Sequence, residues 1–357
     1  MTDRLRAIGW RPIAYDIEPA ATPRLARVIA QHRNGYRVHD GEEEFAVQPA
    51  PKFLKRGLDP ELRPAVGDFV LLGAETPPLI QQILPRRTLL SRAAAGERYQ
   101  RQMIAANVDY VFVVMGLDGD FNPRRIERYL LLIQGSGALP VVVLTKIDKV
   151  DASAFDEAIA ALRGVVPPHV DVRGINAKDP HSVEPLLAYL QPGDSAVLVG
   201  SSGAGKSTLT NTLLGRERQA TSAVREHDSR GRHTTTHRAL LTLPSGGCLI
   251  DTPGMRELKL TGDEDLADAG FEDIETLALQ CRFGDCAHQN EPGCAVRAAR
   301  ESGALDPARW ESYMKLQGEL AAATGSVEAQ LRRKANARVA DKALGKRLTD
   351  KYGRRGQ

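Results

Sequence analysis

The spacing of apolar positions changes rhythm along this chain. Between about residues 23 and 84 they fall in short runs, at 27–30, 36–39, 45–47, 64–72 and 79–84, with turn residues between them. Asp40-Gly41 stands between two alternating runs, which is a hairpin signal. About five short strands in about 70 residues predict a small closed barrel of the oligonucleotide-binding (OB) type. Ahead of it, residues 1 to about 20 show no period and read as a lead-in arm. From about Ala105 the pattern becomes strands alternating with helices. Residues 109–114, 140–144, 170–172 and 196–199 read as strands, with helices at 123–134, 156–162 and 183–190. Near-continuous apolar strands separated by amphipathic helices predict a parallel sheet covered on both faces.

The last of those strands opens into Gly200-Ser201-Ser202-Gly203-Ala204-Gly205-Lys206-Ser207, followed by helix-forming residues. This is the G-x-x-x-x-G-K-S phosphate-binding loop, in the strand-loop-helix setting that its mechanism needs. Its glycines let backbone N–H groups turn inward on a polyphosphate, and the helix N-terminus favours the anion. Lys206 is expected at the β/γ-phosphates and Ser207 on Mg²⁺. These eight residues and the following Thr208 are candidate nucleotide-binding residues.

The strand ending at Leu144 runs into Thr145-Lys146-Ile147-Asp148, at the strand end where such sheets bind ligands. This is similar to the N/T-K-x-D motif that reads guanine. Asp148 can accept from the N1–H and the 2-amino group of guanine, and adenine offers no such pair. Lys146 would lay its stem along the base, and Thr145 in place of Asn loses one amide contact. Asn176-Ala177-Lys178 loosely matches the segment whose backbone N–H meets guanine O6, so Ala177 joins the set. Downstream, Asp251-Thr252-Pro253-Gly254 has the D-x-x-G form, with Asp251 expected near Mg²⁺ through water and the Gly254 amide at the γ-phosphate. Residues 230–238, polar and basic, read as a mobile switch loop. Thr235 in it would complete the Mg²⁺ shell, and His233 is the candidate to position the attacking water. Met255 stands where a water-orienting glutamine could stand, so unassisted hydrolysis is expected to be slow.

Composition narrows the setting. The chain has 357 residues, too many for one typical core, and a net charge of only +3. It has no apolar leader and no 18-residue apolar run, so a cytoplasmic protein without a membrane partner is expected. Of its four cysteines, Cys281, Cys286 and Cys294 cluster with His288 as C-x4-C-x-H-x5-C. Three thiolates and one imidazole predict one closed, structural Zn²⁺ site. Cys248 reads as a buried strand residue. Lys and Arg number ten from residue 332 onward, against Asp341 and Asp350, a tail suited to nucleic-acid phosphates. Lys52, Lys55, Arg56, Arg63, Arg86, Arg87 and Arg92 in and after the barrel are read as an RNA-facing surface.

The base motifs here precede the phosphate loop, which precedes the switches, so the Ras-like order is circularly permuted. With Leu90-Ser91-Arg92, residues 104–109, Asp120-Phe121-Asn122-Pro123-Arg124 and Gly231-Arg232-His233-Thr234-Thr235-Thr236, the chain resembles the ribosome-small-subunit-dependent GTPases (RsgA, also called YjeQ). The resemblance implies a multidomain α/β protein in three parts. These are an arm and OB-fold barrel over 1–100, a permuted GTPase domain over 101–265, and a zinc-binding helical domain with its basic tail over 266–357. It implies a GTP/GDP cycle, stimulation by the 30S ribosomal subunit, contact with 16S rRNA and late maturation of that subunit. Other assembly factors are further partners, and a monomer is expected. Two rivals are a metabolic phosphotransferase using the same loop and a non-catalytic RNA-binding factor in which GTP only sets the shape.

Overall fold

A computed structural model of the chain describes residues 2–11, 24–32, 34–55, 57–93, 101–215, 239–252, 266 and 270–325. In chain order these form α1 (Thr2–Arg6), β1 (Leu25–His32), β2 (Gly35–His39), β3 (Glu44–Pro49), β4 (Phe69–Leu72), β5 (Leu79–Ile83), β6 (Leu89–Ala93), β7 (Arg101–Ala106) and β8 (Tyr110–Gly116). Next come α2 (Pro123–Gln134), β9 (Leu139–Thr145), α3 (Ala152–Leu162), β10 (Asp171–Gly174), α4 (Pro180–Val183), β11 (Ser195–Val199), α5 (Lys206–Leu214), β12 (Ala239–Thr242) and β13 (Cys248–Asp251). Helices α6 (Glu272–Leu279), α7 (Ala295–Glu301) and α8 (residues 307–325) complete the described chain. Among the described residues no helix is long and apolar enough to cross a membrane.

Strands β1 to β5 close on themselves. Their order is β1-β2-β3-β5-β4, with β4 returning to β1 through Leu25↔Leu71 and Arg27↔Phe69. The β3–β5 pair is parallel and the others antiparallel, so five strands form a closed, OB-like barrel. Val28, Val38, Val47, Val70 and Ile80 fill it, as the period-two pattern requires. The arm is more than a lead-in as far as Trp10. Leu5, Ile8 and Trp10 are buried against Leu25, Phe69 and Leu84, with the Trp10 and Phe69 rings edge-on at 5.0 Å. Three apolar residues at irregular spacing carry no period, yet together they cover one side of the barrel.

The second sheet runs β10-β9-β8-β11-β13-β12, parallel except for β12. Strand faces alternate as a doubly covered sheet demands. Val111, Val113, Val142, Leu144 and Val197 share a core with Ile126, Tyr129, Leu130 and Ile133 of α2. Phe112, Val114, Val141, Val143 and Leu198 share another with Leu209 and Leu213 of α5. The predicted helix at 183–190 is instead a short α-turn, 180–183, and a 3-10 stretch, 184–189. Pro185 lacks the N–H needed to continue the α-ladder, which accounts for the change. The hairpin β6–β7, Leu89↔Ala106 to Ala93↔Arg101, was not expected, and neither was β12.

Barrel and sheet are joined edge to edge, Ala30 of β1 pairing with Ala239 of β12. Beside that seam lies Arg27, completely buried. Its guanidinium donates to the carbonyls of Ile8 at 2.6 Å, Gly67 at 3.1 Å and Asn107 at 2.9 Å, and to Ser195 Oγ at 2.8 Å. Arm, barrel, the β7–β8 turn and the first residue of β11 thus meet on one side chain. At the other end, Phe271, Ile274, Val296, Trp310, Tyr313 and Leu316 pack into the same core as α2. The basic tail from residue 332 lies outside the described residues.

Candidate functional site: a phosphate cradle and a cysteine-histidine knot

Because β8, β9, β11 and β13 are parallel, their C-terminal ends open at one edge, where ligands bind in such sheets. The loop after β11 occupies the centre of that edge. Gly200, Gly203 and Gly205 have φ of +146°, +81° and +97°. A Cβ on Gly200 would lie 2.2 Å from the Val114 carbonyl oxygen, so only glycine lets the loop pass β8. Lys206 Nζ donates to the Gly200 carbonyl at 2.7 Å and to that of Ser201. Burial pushes the Lys206 ammonium down to about 8, against the opposing pull of Asp251 and Asp120. Ser207 and Thr208 open α5, and Ala204 is buried beneath the loop, while Ser202 and Gly203 are exposed at its tip.

The base-reading segment is tied directly to this loop. Thr145 is completely buried, and its hydroxyl donates to the Ala204 carbonyl at 2.6 Å. The expectation of a missing ligand contact at Thr145 therefore changes meaning, because the side chain straps β9 to the phosphate loop. Lys146 takes a left-handed backbone, φ 64°, which costs a lysine free energy and is common at functional sites. Its ammonium pairs with Asp118. That ion pair holds the Asp118 carboxyl below the usual carboxylate range. Asp148 follows in an exposed turn, Ile147–Lys149. Ala177 is brought to the same edge, where its carbonyl accepts from Thr212 Oγ1 of α5 at 2.7 Å. Asp251 ends β13, buried beside β11, and the neighbouring Thr252 hydroxyl donates to the Leu198 carbonyl at 2.8 Å. His233, Thr235, Gly254 and Met255 lie outside the described residues.

Thirteen residues of the chain's predicted cradle set (Thr145, Lys146, Asp148, Ala177 and 200–208) thus gather with Asp251 around one sheet edge. Two functional-looking residues were missed, Asp118 and Asp120, whose signal was a D-x-D pair just past a buried parallel strand. The barrel's basic surface needs correction. Arg86 donates to both oxygens of buried Asp68 at 2.7 Å and to the Arg63 carbonyl, and Arg87 pairs with Asp109 at 2.9 Å. Arg86 is thus a structural pin held by partners inside the fold, and Arg87 is tied to the fold through its one pairing with Asp109.

In the C-terminal part, the ligand atoms of Cys281, Cys286, His288 and Cys294 all lie within 4.8 Å of one another. Cys281 Sγ and Cys294 Sγ are 3.9 Å apart, and each is 3.5 Å from His288 Nδ1. Zinc bond lengths around a tetrahedral ion give edges of about 3.8 Å for two sulfurs and about 3.6 Å for sulfur and nitrogen. The donor set therefore fits such an ion. His288 is held in a left-handed turn, φ 59°, with its ring edge-on to Trp310 at 5.7 Å. Cys294 also caps α7, accepting from the Arg297 N–H.

A parallel sheet with a phosphate loop on its central strand and the base reader earlier in the chain defines a circularly permuted P-loop GTPase. A family model described as RsgA GTPase matches residues 83–261. A protein of Xanthomonas axonopodis pv. citri (strain 306), named Small ribosomal subunit biogenesis GTPase RsgA, is 56% identical over 328 residues, covering 89% of each chain. One of the same name from Xanthomonas campestris pv. campestris (strain B100) is 57% identical over 316 residues, 88% of this chain and 85% of its own. The crystal structure of YjeQ from Thermotoga maritima superposes with a TM-score of 0.59 at 28% identity, covering 83% of this chain and 98% of that one. YloQ, described as a circularly permuted GTPase, shares the fold with a TM-score of 0.57 at 24% identity, over 86% of this chain and 97% of its own. The chain belongs to the RsgA GTPase family.

Proposed function

We propose that this GTPase acts in biogenesis of the small ribosomal subunit, hydrolysing GTP to GDP and phosphate when it meets the 30S particle. The Thr145–Ala204 hydrogen bond carries the chemical half of this reading, since it joins a guanine-type reader to a phosphate loop in one rigid unit. The names of relatives that match almost the whole chain support the ribosomal half.

In this reading residues 200–208 cradle the phosphates, with Lys206 on the β/γ oxygens, while Lys146, Asp148 and the Ala177 segment hold guanine. Ser207 and Thr235 would hold Mg²⁺, with Asp251 reaching it through water, and the bound ion neutralises charge on the β- and γ-oxygens. The Gly254 amide meets the γ-phosphate, and His233 positions water. Cys281, Cys286, His288 and Cys294 hold one structural Zn²⁺. The three parts, 1–100, 101–265 and 266–357, then divide the work: barrel and tail contact 16S rRNA while the middle part times release. The protein acts in the cytoplasm as a monomer, alongside other assembly factors.

Asp148→Asn tests the base assignment. An amide cannot accept from both guanine donors but can donate to a carbonyl at position 2. GTP affinity should therefore fall about a hundredfold, and xanthosine triphosphate should become the better ligand. Unchanged preference for GTP would remove Asp148 from base recognition.

A further inference from the structure

The loop leaving β8, residues 117–122, brings two carboxylates to the cradle. Asp118 holds Lys146, as described. Asp120 accepts from the Ser201 hydroxyl on one oxygen and from Arg125 Nη1, in the first turn of α2, at 2.7 Å on the other. Ser201 is the second residue of the phosphate loop, and its carbonyl is one of the two that take the Lys206 ammonium. A single side chain from outside the loop therefore fixes the residue whose backbone carries the loop's cation. Burial works against charge on Asp120, but Arg125 and Ser201 hold its carboxyl below the usual range, so it is a pure acceptor at neutral pH.

The helix behind Asp120 is itself held from its other side. Glu127 of α2 is completely buried and accepts from Arg124 at 3.0 Å, Arg309 at 3.3 Å and Ser312 Oγ at 2.7 Å. Arg309 also grips Asp273 at 2.8 Å and the carbonyls of Gly164 and Gly270, while Arg128 pairs with Glu319 at 2.6 Å. Helix α2 is thereby locked to α6 and α8, and Asp120 stands just before it on the phosphate-loop side. A side chain so anchored can impose its position on Ser201.

We propose that Asp120 is a positioning residue for the GTP reaction, acting through Ser201 to keep the phosphate loop in its binding-ready shape. The inference rests on residues 200–207 being the GTP phosphate site. It competes with an electrostatic expectation of opposite sign, since a carboxylate beside a phosphate site repels the ligand, and its removal alone would tighten binding.

The test is binding of N-methylanthraniloyl-GDP to the full chain and its variants, with melting temperatures recorded alongside. Loss of one hydrogen bond that orders the loop predicts that Asp120→Ala weakens binding about threefold to tenfold. Asp120→Asn keeps an acceptor oxygen for Ser201 but turns an NH2 donor toward Arg125. It should recover part of the loss and bind between Asp120→Ala and wild type, with melting points within about 2 °C. Ser201→Ala should lose as much as Asp120→Ala, and the double variant no more than either. Binding equal to or tighter than wild type in Asp120→Ala, failure of Asn to rescue, or additive losses would each overturn the role. Lys206→Ala separates the two readings. If it binds like wild type, the phosphate-site reading fails; if it loses binding while Asp120→Ala does not, only the positioning role fails.

Discussion

The phosphate cradle and the cysteine-histidine knot hold their shapes by different means. The cradle is built by main chain at the end of a buried parallel strand, with β8 and β13 on either side and Thr145 and Asp120 strapping it. Its close approaches and its hydrogen bonds are made by groups of the protein itself. Around the knot, residues 280–294 contain no strand and no helix; four ligand side chains meet at one point, and the Glu291 carboxylate accepts from the N–H groups of Ala287, Gln289 and Asn290. Only one side of the knot is apolar: Cys294 is buried in the core that holds Trp310, while Cys281, Cys286 and His288 stay partly exposed. The difference teaches that one region should be indifferent to its ligand for folding, while the other should be defined by it.

The largest effect that could break this comparison is metal removal. Structural zinc sites contribute about 10 kcal/mol or more to folding. The two tryptophans serve as reporters, because Trp310 lies against His288 and Trp10 against Phe69. In a Trp10→Phe background, chelation should shift Trp310 emission to the red and release about one zinc per chain. GDP binding by the cradle should persist. An unchanged Trp310 signal after verified zinc loss would place the knot in the same class as the cradle.

On the cradle side, Lys206→Ala removes charge-assisted bonds to phosphate and should weaken GDP binding by about a hundredfold or more, with little change in melting temperature. A matching collapse of the fold would mean that the loop is not self-supporting. A smaller effect comes from pH. Lys206 is pushed down to about 8, so GDP affinity, measured in EDTA without Mg²⁺, should be level below pH 8 and fall up to about tenfold per unit above it. The sign for folding is the reverse. The unfolded chain holds this proton up to 10.5, so the nucleotide-free protein gains stability from Lys206 as pH rises between about 8 and 10.5. A flat affinity profile to pH 9.5 would show that the ammonium does not meet the ligand. The smallest effect is Thr145→Val, which leaves the Ala204 carbonyl without its strap and should cost about fivefold in GDP affinity. No loss would show that the loop holds its shape without β9.

Why some features were legible in the sequence follows from the same contrast. Local, periodic signals translated directly, as with the strand at 196–199, the glycines of the loop, the α2 stripe and the C-x4-C-x-H-x5-C spacing. Long-range polar geometry did not. Arg27 opens the apolar run 27–30 with nothing in the sequence to mark its role, because its partners at Ile8, Asn107 and Ser195 are scattered over the chain. Arg86 and Arg87 read as RNA-facing cations because nothing in the sequence marks Asp68 and Asp109 as their partners. Thr145 looked like a weakened reader until Ala204, 59 residues on, appeared beside it. Asp120 and Glu127 were hidden for the same reason, each defined by a contact that composition and period do not record.

The central claim is that a self-supporting GTP site is put to use by the small ribosomal subunit. Its most direct test is GTP turnover by the intact zinc-loaded protein, with and without purified 30S particles, and with ATP as the control nucleotide. The account predicts slow turnover alone and a rise of at least about tenfold on adding 30S, confined to GTP and abolished in Lys206→Ala. Turnover that 30S leaves unchanged, or that ATP supports equally well, would contradict it.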